Sequence, residues 1–122
     1  MASQVSILYV DDEETLRTLV KNQLLSEGYA VETADDGDTA IRMLGTQEFS
    51  IILLDVRMPR VSGMEVLKFI KEQKIASRVI MLTAVDDLSV AIESVKLGAS
   101  DYLTKPYDLD VLLSAIVRVI AL

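Results

Sequence analysis

The sequence predicts an α/β fold: a doubly wound parallel sheet of five strands in the order 2-1-3-4-5, with five helices on its faces. Three observations predict it. Short apolar runs alternate five times with longer segments of helical period, the rhythm of repeated strand–helix units. Three of the runs are almost continuous in Val, Ile, Leu and Met, as strands covered on both faces should be, whereas the other two are partly polar. Right-handed crossovers between parallel neighbours then place the two polar runs, the second and the fifth, at the edges.

The first run, Val5–Val10, is a central strand. It is followed by Leu16, Leu19, Val20, Gln23 and Leu24 at the spacing of one helical face, closed by Gly28 just past the end. Ala30–Ala34 alternates Val31, Glu32 and Thr33 and reads as an edge strand; a second helix then runs from Asp36 to Leu44 and Gly45. Ser50–Leu54 is the second continuous run. After Ser62 and Gly63 a third helix turns Leu67 and Ile70 inward and Lys68 and Lys71 outward. Arg78–Thr83 is the third continuous run, and Asp86 or Asp87 caps a fourth helix carrying Leu88, Ala91, Ile92 and Val95 up to Gly98. Ser100–Thr104, short and partly polar, is the other edge strand. A fifth helix follows Pro106 with Asp108 as its cap, and its inward face needs Leu109, Leu112, Leu113, Ile116 and Ile120.

With 122 residues, 51% apolar and 25% charged, the whole chain, 1–122, reads as one globular domain. Apolar runs such as Ile51–Leu54 fall far short of the roughly 20 residues a membrane helix needs. Met1 to Gln4 lacks a basic, apolar leader, so a cytoplasmic protein is expected. The chain contains neither Cys nor His, which excludes thiol nucleophiles, zinc fingers, histidine bases and any simple histidine pH switch. A metal must then be held by oxygen, which favours Mg²⁺, and a covalent intermediate must use carboxylate, hydroxyl or amine. The net charge of −7 argues against direct contact with nucleic acid.

In an open parallel sheet, ligands bind beyond the carboxyl ends of the strands. Four of the five strands here deliver a polar or charged group to that rim: Asp11 and Asp12 after the first, Asp55 after the third, Thr83 closing the fourth and Lys105 after the fifth. Acids and hydroxyls often cap helices at such junctions, but the set as a whole has a stronger reading. Two carboxylates about 4 Å apart repel by roughly 4 kcal/mol at an effective dielectric near 20, so three together call for a cation. Asp12 and Asp55 are the expected direct ligands of Mg²⁺, with Mn²⁺ as a substitute, Asp11 acting through water and the backbone carbonyl of Arg57 as a third protein ligand. An oxygen of Asp55 can then attack phosphorus, with Lys105 pairing first with Asp55 and afterwards with a phosphoryl oxygen. The Lys105–Pro106 bond is a candidate for cis geometry.

These pieces, in order, carry a resemblance. Val10-Asp11-Asp12-Glu13, Leu54-Asp55-Val56-Arg57-Met58-Pro59 with Gly63, Leu82-Thr83-Ala84, Gly98-Ala99 and Tyr102-Leu103-Thr104-Lys105-Pro106 together resemble a receiver domain of two-component response regulators from end to end. The stretch Ser89 to Leu109 looks most like receivers attached to nitrogen-regulation-type enhancer-binding activators. The resemblance implies the flavodoxin-like version of the fold and a sensor histidine kinase as phosphodonor, with small donors such as acetyl phosphate also serving. It further implies a switch in which the Thr83 hydroxyl turns to the phosphoryl group and Tyr102 moves inward into the space released. Ala84 leaves the site accessible, while Arg57 and Val85 flank the path of a hydrolytic water, so slow self-hydrolysis is expected.

Val111, Val117, Ala121 and Leu122 are left on the outside of the fifth helix, more apolar surface than a solvated helix normally shows. One reading is the end of an excised piece that has lost its polar continuation. The other, preferred here, is a dimer or docking surface built from the fourth helix, fifth strand and fifth helix, whose affinity depends on phosphorylation. The partner is then a second copy or the chain's own effector domain in a longer regulator. Rival functions are a receiver-shaped adaptor that is never phosphorylated, and a Mg-dependent aspartyl-phosphate phosphatase. The phosphatase wants a second Asp two residues after the nucleophile, where Arg57 stands. A flavin-binding module is disfavoured because Asp11-Asp12-Glu13-Glu14 would repel its phosphate.

Overall fold

A computed structural model of the chain describes residues 4–122. Five parallel strands, β1 (Ser6–Val10), β2 (Ala30–Ala34), β3 (Ile51–Asp55), β4 (Arg78–Ala84) and β5 (Asp101–Lys105), form one sheet in the order β2-β1-β3-β4-β5. Five helices alternate with them: α1 (Glu14–Ser26), α2 (Gly37–Leu44), α3 (Gly63–Glu72), α4 (Leu88–Lys96) and α5 (Leu109–Ile120). The predicted order and element count hold, and each strand lies within a residue or so of its predicted ends. Among the described residues no helix is long and apolar enough to cross a membrane.

Because side chains alternate across a strand, each central strand feeds two cores. Leu8, Val10, Ile52, Leu54, Val79 and Met81 meet α2, α3 and α4 on one face. Ile7, Tyr9, Ile51, Leu53, Ile80 and Leu82 meet α1 and α5 on the other. Every residue of β3 is buried. Two of the five helices, α2 and α3, start where polar side chains satisfy free backbone N–H groups. Asp36 accepts from the Thr39 N–H at 2.7 Å, and Ser62 with Glu65 forms a reciprocal capping box on α3.

Several local expectations are corrected. Leu19 is half-exposed, so the buried stripe of α1 rests on Val20 and Leu24, with Leu16 and Gln23 flanking it. In α5 the buried positions are Leu112, Ala115, Ile116 and Val119, whereas Leu109, Leu113 and Ile120 are only partly covered. In α4 the difference is more consequential: Ala91 and Ser94 are buried, while Leu88, Ile92 and Val95 face outward. Asp87 and Asp108 do occupy N-cap positions, but neither side chain makes a capping hydrogen bond. A 3₁₀ turn at Val85–Asp87, not foreseen, links β4 to α4.

Candidate functional site

Parallel register assembles the rim. Val10 pairs with Leu54, Asp55 with Leu82 and Ala84 with Lys105, so the residues that follow or close β1, β3, β4 and β5 arrive at one level. Asp11, Asp12 and Asp55 each offer a carboxylate oxygen within 4.8 Å of the others; Asp11 and Asp55 are buried and Asp12 is exposed. Lys105 Nζ lies 3.1 Å from Asp11 Oδ2 and 3.4 Å from Asp55 Oδ1. The expected pairing with Asp55 is therefore present, but the lysine is shared and stands nearer Asp11. The Lys105–Pro106 bond is cis.

The close approach of α3 to this rim requires a glycine. A Cβ on Gly63 would sit 2.2 Å from the carbonyl oxygen of Asp55, while the Gly63 N–H donates to Val56 O at 2.9 Å. The first turn of α3 thus packs directly against the residue at the centre of the site.

The charges do not balance. Burial pushes the Asp55 carboxyl up, Lys105 draws it back, Asp11 and Asp12 push it up again, and the result is about 6. For Lys105, burial disfavours the ammonium, but Asp55 and Asp11 outweigh it and hold the group above the usual lysine range. Burial and the neighbouring acids thus raise Asp55 towards neutrality in a chain that has no histidine. Protonation or a divalent cation would each relieve the same excess of negative charge. The all-oxygen donor set suits a hard cation.

Arg57 and Thr83 sit on the opposite flank. Arg57's guanidinium makes a two-pronged ion pair with Asp87, through Nε to Oδ2 and through Nη2 to Oδ1 at 2.5 Å, and approaches Asp86 at 3.9 Å. The side chain expected to flank a water path is thus drawn onto the β4–α4 turn. Hydrogen bonding to Asp87 holds Arg57 above its usual range, and the same contact holds Asp87 below its own. Among the described residues the carbonyl oxygen of Arg57 accepts no hydrogen bond. Three residues on, Arg60 reaches the other way and donates to Asp36 at the start of α2, at 2.9 Å. An open cleft of about 570 Å³ runs beside the rim, lined by Asp12, Val56, Arg57, Met58, Pro59 and Asp87 among others.

Thr83 is buried, and its hydroxyl donates to the carbonyls of Ala84 at 3.3 Å and Asp87 at 3.5 Å, both long contacts within the same turn. Tyr102, on β5, is half-buried and packs against the core on the α2–α4 face. Val111 and Val117 on α5, and Ala121 and Leu122 just past its end, are all exposed.

Sequence reasoning missed two residues at the site. Tyr9, in the middle of β1, donates its hydroxyl to Asp11 Oδ2 at 3.1 Å, and Tyr107 lies 3.4 Å from the same hydroxyl. Tyr9 passes as one more apolar residue in a strand. The signal was its place two residues before Asp11, hence on the same side of the strand, as a polar-tipped ring in an aliphatic run.

The family model for the response regulator receiver domain matches residues 7–117. The chain is 43% identical over 101 residues to the alkaline phosphatase synthesis transcriptional regulatory protein PhoP of Bacillus subtilis, covering 83% of this chain and 42% of that protein. It is 34% identical to the DNA-binding transcriptional regulator NtrC of Proteus hauseri, covering 94% of this chain and 24% of that one. The chain thus spans half or less of the length of these curated relatives. Its backbone is similar to the signal receiver domain of a Luxo repressor protein from Vibrio parahaemolyticus, with a TM-score of 0.92 at 28% identity over 98% of this chain and 92% of the other. The matched residues run from β1 into α5 and take in every residue of the rim, and the chain belongs to the response regulator receiver domain family.

Proposed function

We propose that this chain is a phosphorylation-dependent signalling switch in which Asp55 accepts a phosphoryl group from a phosphohistidine of a sensor histidine kinase. The observation that carries the reading is the convergence of three carboxylates and one ammonium on a single point, where burial and the neighbouring acids raise the Asp55 carboxyl. Asp12, Asp55 and the Arg57 carbonyl would hold Mg²⁺ or Mn²⁺, with Asp11 supporting the ion through water. The ion, when bound, offsets negative charge on the phosphoryl oxygens.

The chain's own residues do the rest. An ionised oxygen of Asp55 forms a bond to phosphorus as the phosphorus–nitrogen bond to the donor imidazole breaks; the imidazole keeps the electron pair and takes a proton from solvent. Lys105, already shared between Asp11 and Asp55, turns to a phosphoryl oxygen. Thr83 gives up two long contacts in the β4–α4 turn, so redirecting its hydroxyl costs little, and Tyr102 follows into the space released. The surface that changes is the one formed by α4, β5 and α5. Exposed Leu88, Ile92 and Val95 add to Val111, Val117, Ala121 and Leu122 there, which supports a homodimer or docking of an effector domain in a longer regulator of transcription. A kinase donor and an effector of that kind place its action in the cytoplasm. The phosphatase alternative is weakened further by the Arg57–Asp87 pair, which puts a cation where an acid is wanted.

Incubation with acetyl phosphate and Mg²⁺, read by mass spectrometry with Asp55→Asn as control and by sedimentation with a stable phosphoryl mimic, tests both halves. One phosphoryl group on the parent chain and none on the variant is expected, with a change in association. An unlabelled parent chain points to the adaptor reading, and a monomer in both states removes the dimer.

A further inference from the structure

Asp11 is held by an unusual number of donors for a residue whose proposed work is to face a cation. Its Oδ2 accepts from Tyr9 at 3.1 Å and from Lys105 at 3.1 Å, and its Oδ1 accepts from the Glu13 N–H at 2.9 Å. Its backbone is pinned as well, the N–H donating to Ala34 O at 3.2 Å and the carbonyl accepting from Arg17 at 2.8 Å. Three of about four lone-pair sites on the carboxylate are occupied, so the one left, on Oδ1, has a fixed direction.

Tyr9 is fully buried in the core on the α1–α5 face of the sheet, with Ile7, Leu53 and Leu82. A phenol hydroxyl in that position is costly unless bonded, and Asp11 supplies its acceptor. Tyr9 has a single hydroxyl hydrogen, committed to Asp11, so in the 3.4 Å contact the donor is Tyr107. The order Tyr107, Tyr9, Asp11 is therefore a directed chain of donors that ends on the acidic rim. Lys105, the other side-chain donor on Oδ2, is the group that the phosphorylated state takes away. Tyr9 is then the side-chain donor left on Oδ2, beside the Glu13 N–H on Oδ1.

We infer that Tyr9 is a positioning residue for the cation site, holding Asp11 in the orientation that binds Mg²⁺, and that Tyr107 supports it only through the Tyr9 hydroxyl. The inference rests on the reading of the acidic rim as a Mg²⁺ site. Removing a hydrogen-bonding partner behind a metal-binding carboxylate commonly weakens metal affinity by about tenfold or more.

Calorimetric titration of MgCl₂ into the metal-free parent chain, Tyr9→Phe, Tyr107→Phe and the double variant tests it, beside thermal melts in EDTA. Phe keeps the ring, so the core stays filled. A Kd for Mg²⁺ raised roughly tenfold in Tyr9→Phe is expected, with a smaller rise in Tyr107→Phe and no further rise in the double variant. Acetyl phosphate labelling should recover the parent rate in Tyr9→Phe at saturating Mg²⁺, an effect on the Mg²⁺ requirement and not on the maximal rate. A lowered melting temperature with an unchanged Kd would assign Tyr9 a packing role and overturn the inference. Effects that add in the double variant would overturn the Tyr107 relay. A parent chain that binds no Mg²⁺ would instead sink the reading of the rim, and the inference with it.

Discussion

The two flanks of the rim are built on different principles. On the β1–β5 side Asp11, Tyr9, Tyr107 and Lys105 form a connected, largely buried network in which each polar group has a partner. On the β3–β4 side an exposed arginine grips a turn of three residues, and Thr83 is kept in place by two long contacts. Buried, satisfied networks are stiff because any movement strands a polar group away from water. An ion pair whose arginine lies in solvent is screened on that side, and a short 3₁₀ turn resists little. The difference teaches a division of labour: one flank holds charge in place, and the other is free to rearrange when that charge changes.

The comparison can be broken most forcefully at Lys105. Lys105→Met leaves Asp11 and Asp55 buried without their cation, and in EDTA at pH 7.5 it is expected to cost about 4 kcal/mol in chemical denaturation. A loss below about 1 kcal/mol would mean that the stiff flank does not depend on its charge network.

A second, smaller effect is set by pH. The carboxyl of Asp55 is raised in the folded chain to about 6 from an ordinary 3.8. The folded state therefore binds the extra proton more tightly than the unfolded chain does. That contribution to stability is fully present below about pH 4 and is lost as pH rises through 6, amounting to about 3 kcal/mol. Asp55→Asn does not carry this loss, so in EDTA it should overtake the parent chain above pH 6 by about 2 kcal/mol and lose its lead towards pH 4. Parallel stability curves from pH 4 to 8 would contradict the charge balance described for the rim.

The smallest expected change in stability sharpens the other side. Arg57→Asn should leave the melting temperature nearly unchanged, because the guanidinium is exposed. It should shorten the phosphoryl half-life severalfold from a parent value longer than about a minute at room temperature, since the arm beside the site is gone. An unchanged half-life would show that Arg57 neither screens Asp55 from water nor holds the turn.

Much of this was legible in the residues. Asp11, Asp12, Asp55, Thr83 and Lys105 each end or follow an apolar run, and parallel pairing brings such ends together with no further information. Gly28 and Gly98 ended their helices as read, and both adopt the left-handed backbone that favours glycine. Less legible were features that depend on what lies opposite. Leu88, Ile92 and Val95 have the spacing of an inward face, yet the sheet takes Ala91 and Ser94, because small residues allow α4 to come close. Asp87 has the position of a cap, but Arg57, 30 residues away, claims its carboxylate. Periodicity counts positions along one helix and carries no knowledge of a competing partner. The acidity of Asp55 was hidden for the same reason, being a property of burial and neighbours that no single residue type announces.

The placement of the tyrosines has a practical consequence. The chain has no tryptophan and four tyrosines, so its ultraviolet emission comes from phenol rings alone. Two of those rings, Tyr9 and Tyr107, end in the hydrogen-bonded chain that reaches Asp11. A phenol that donates to a carboxylate is dimmed by it, so whatever draws charge away from Asp11 should brighten the protein. Events at the rim can thus be followed in a fluorimeter on the unlabelled chain, with no dye to disturb them.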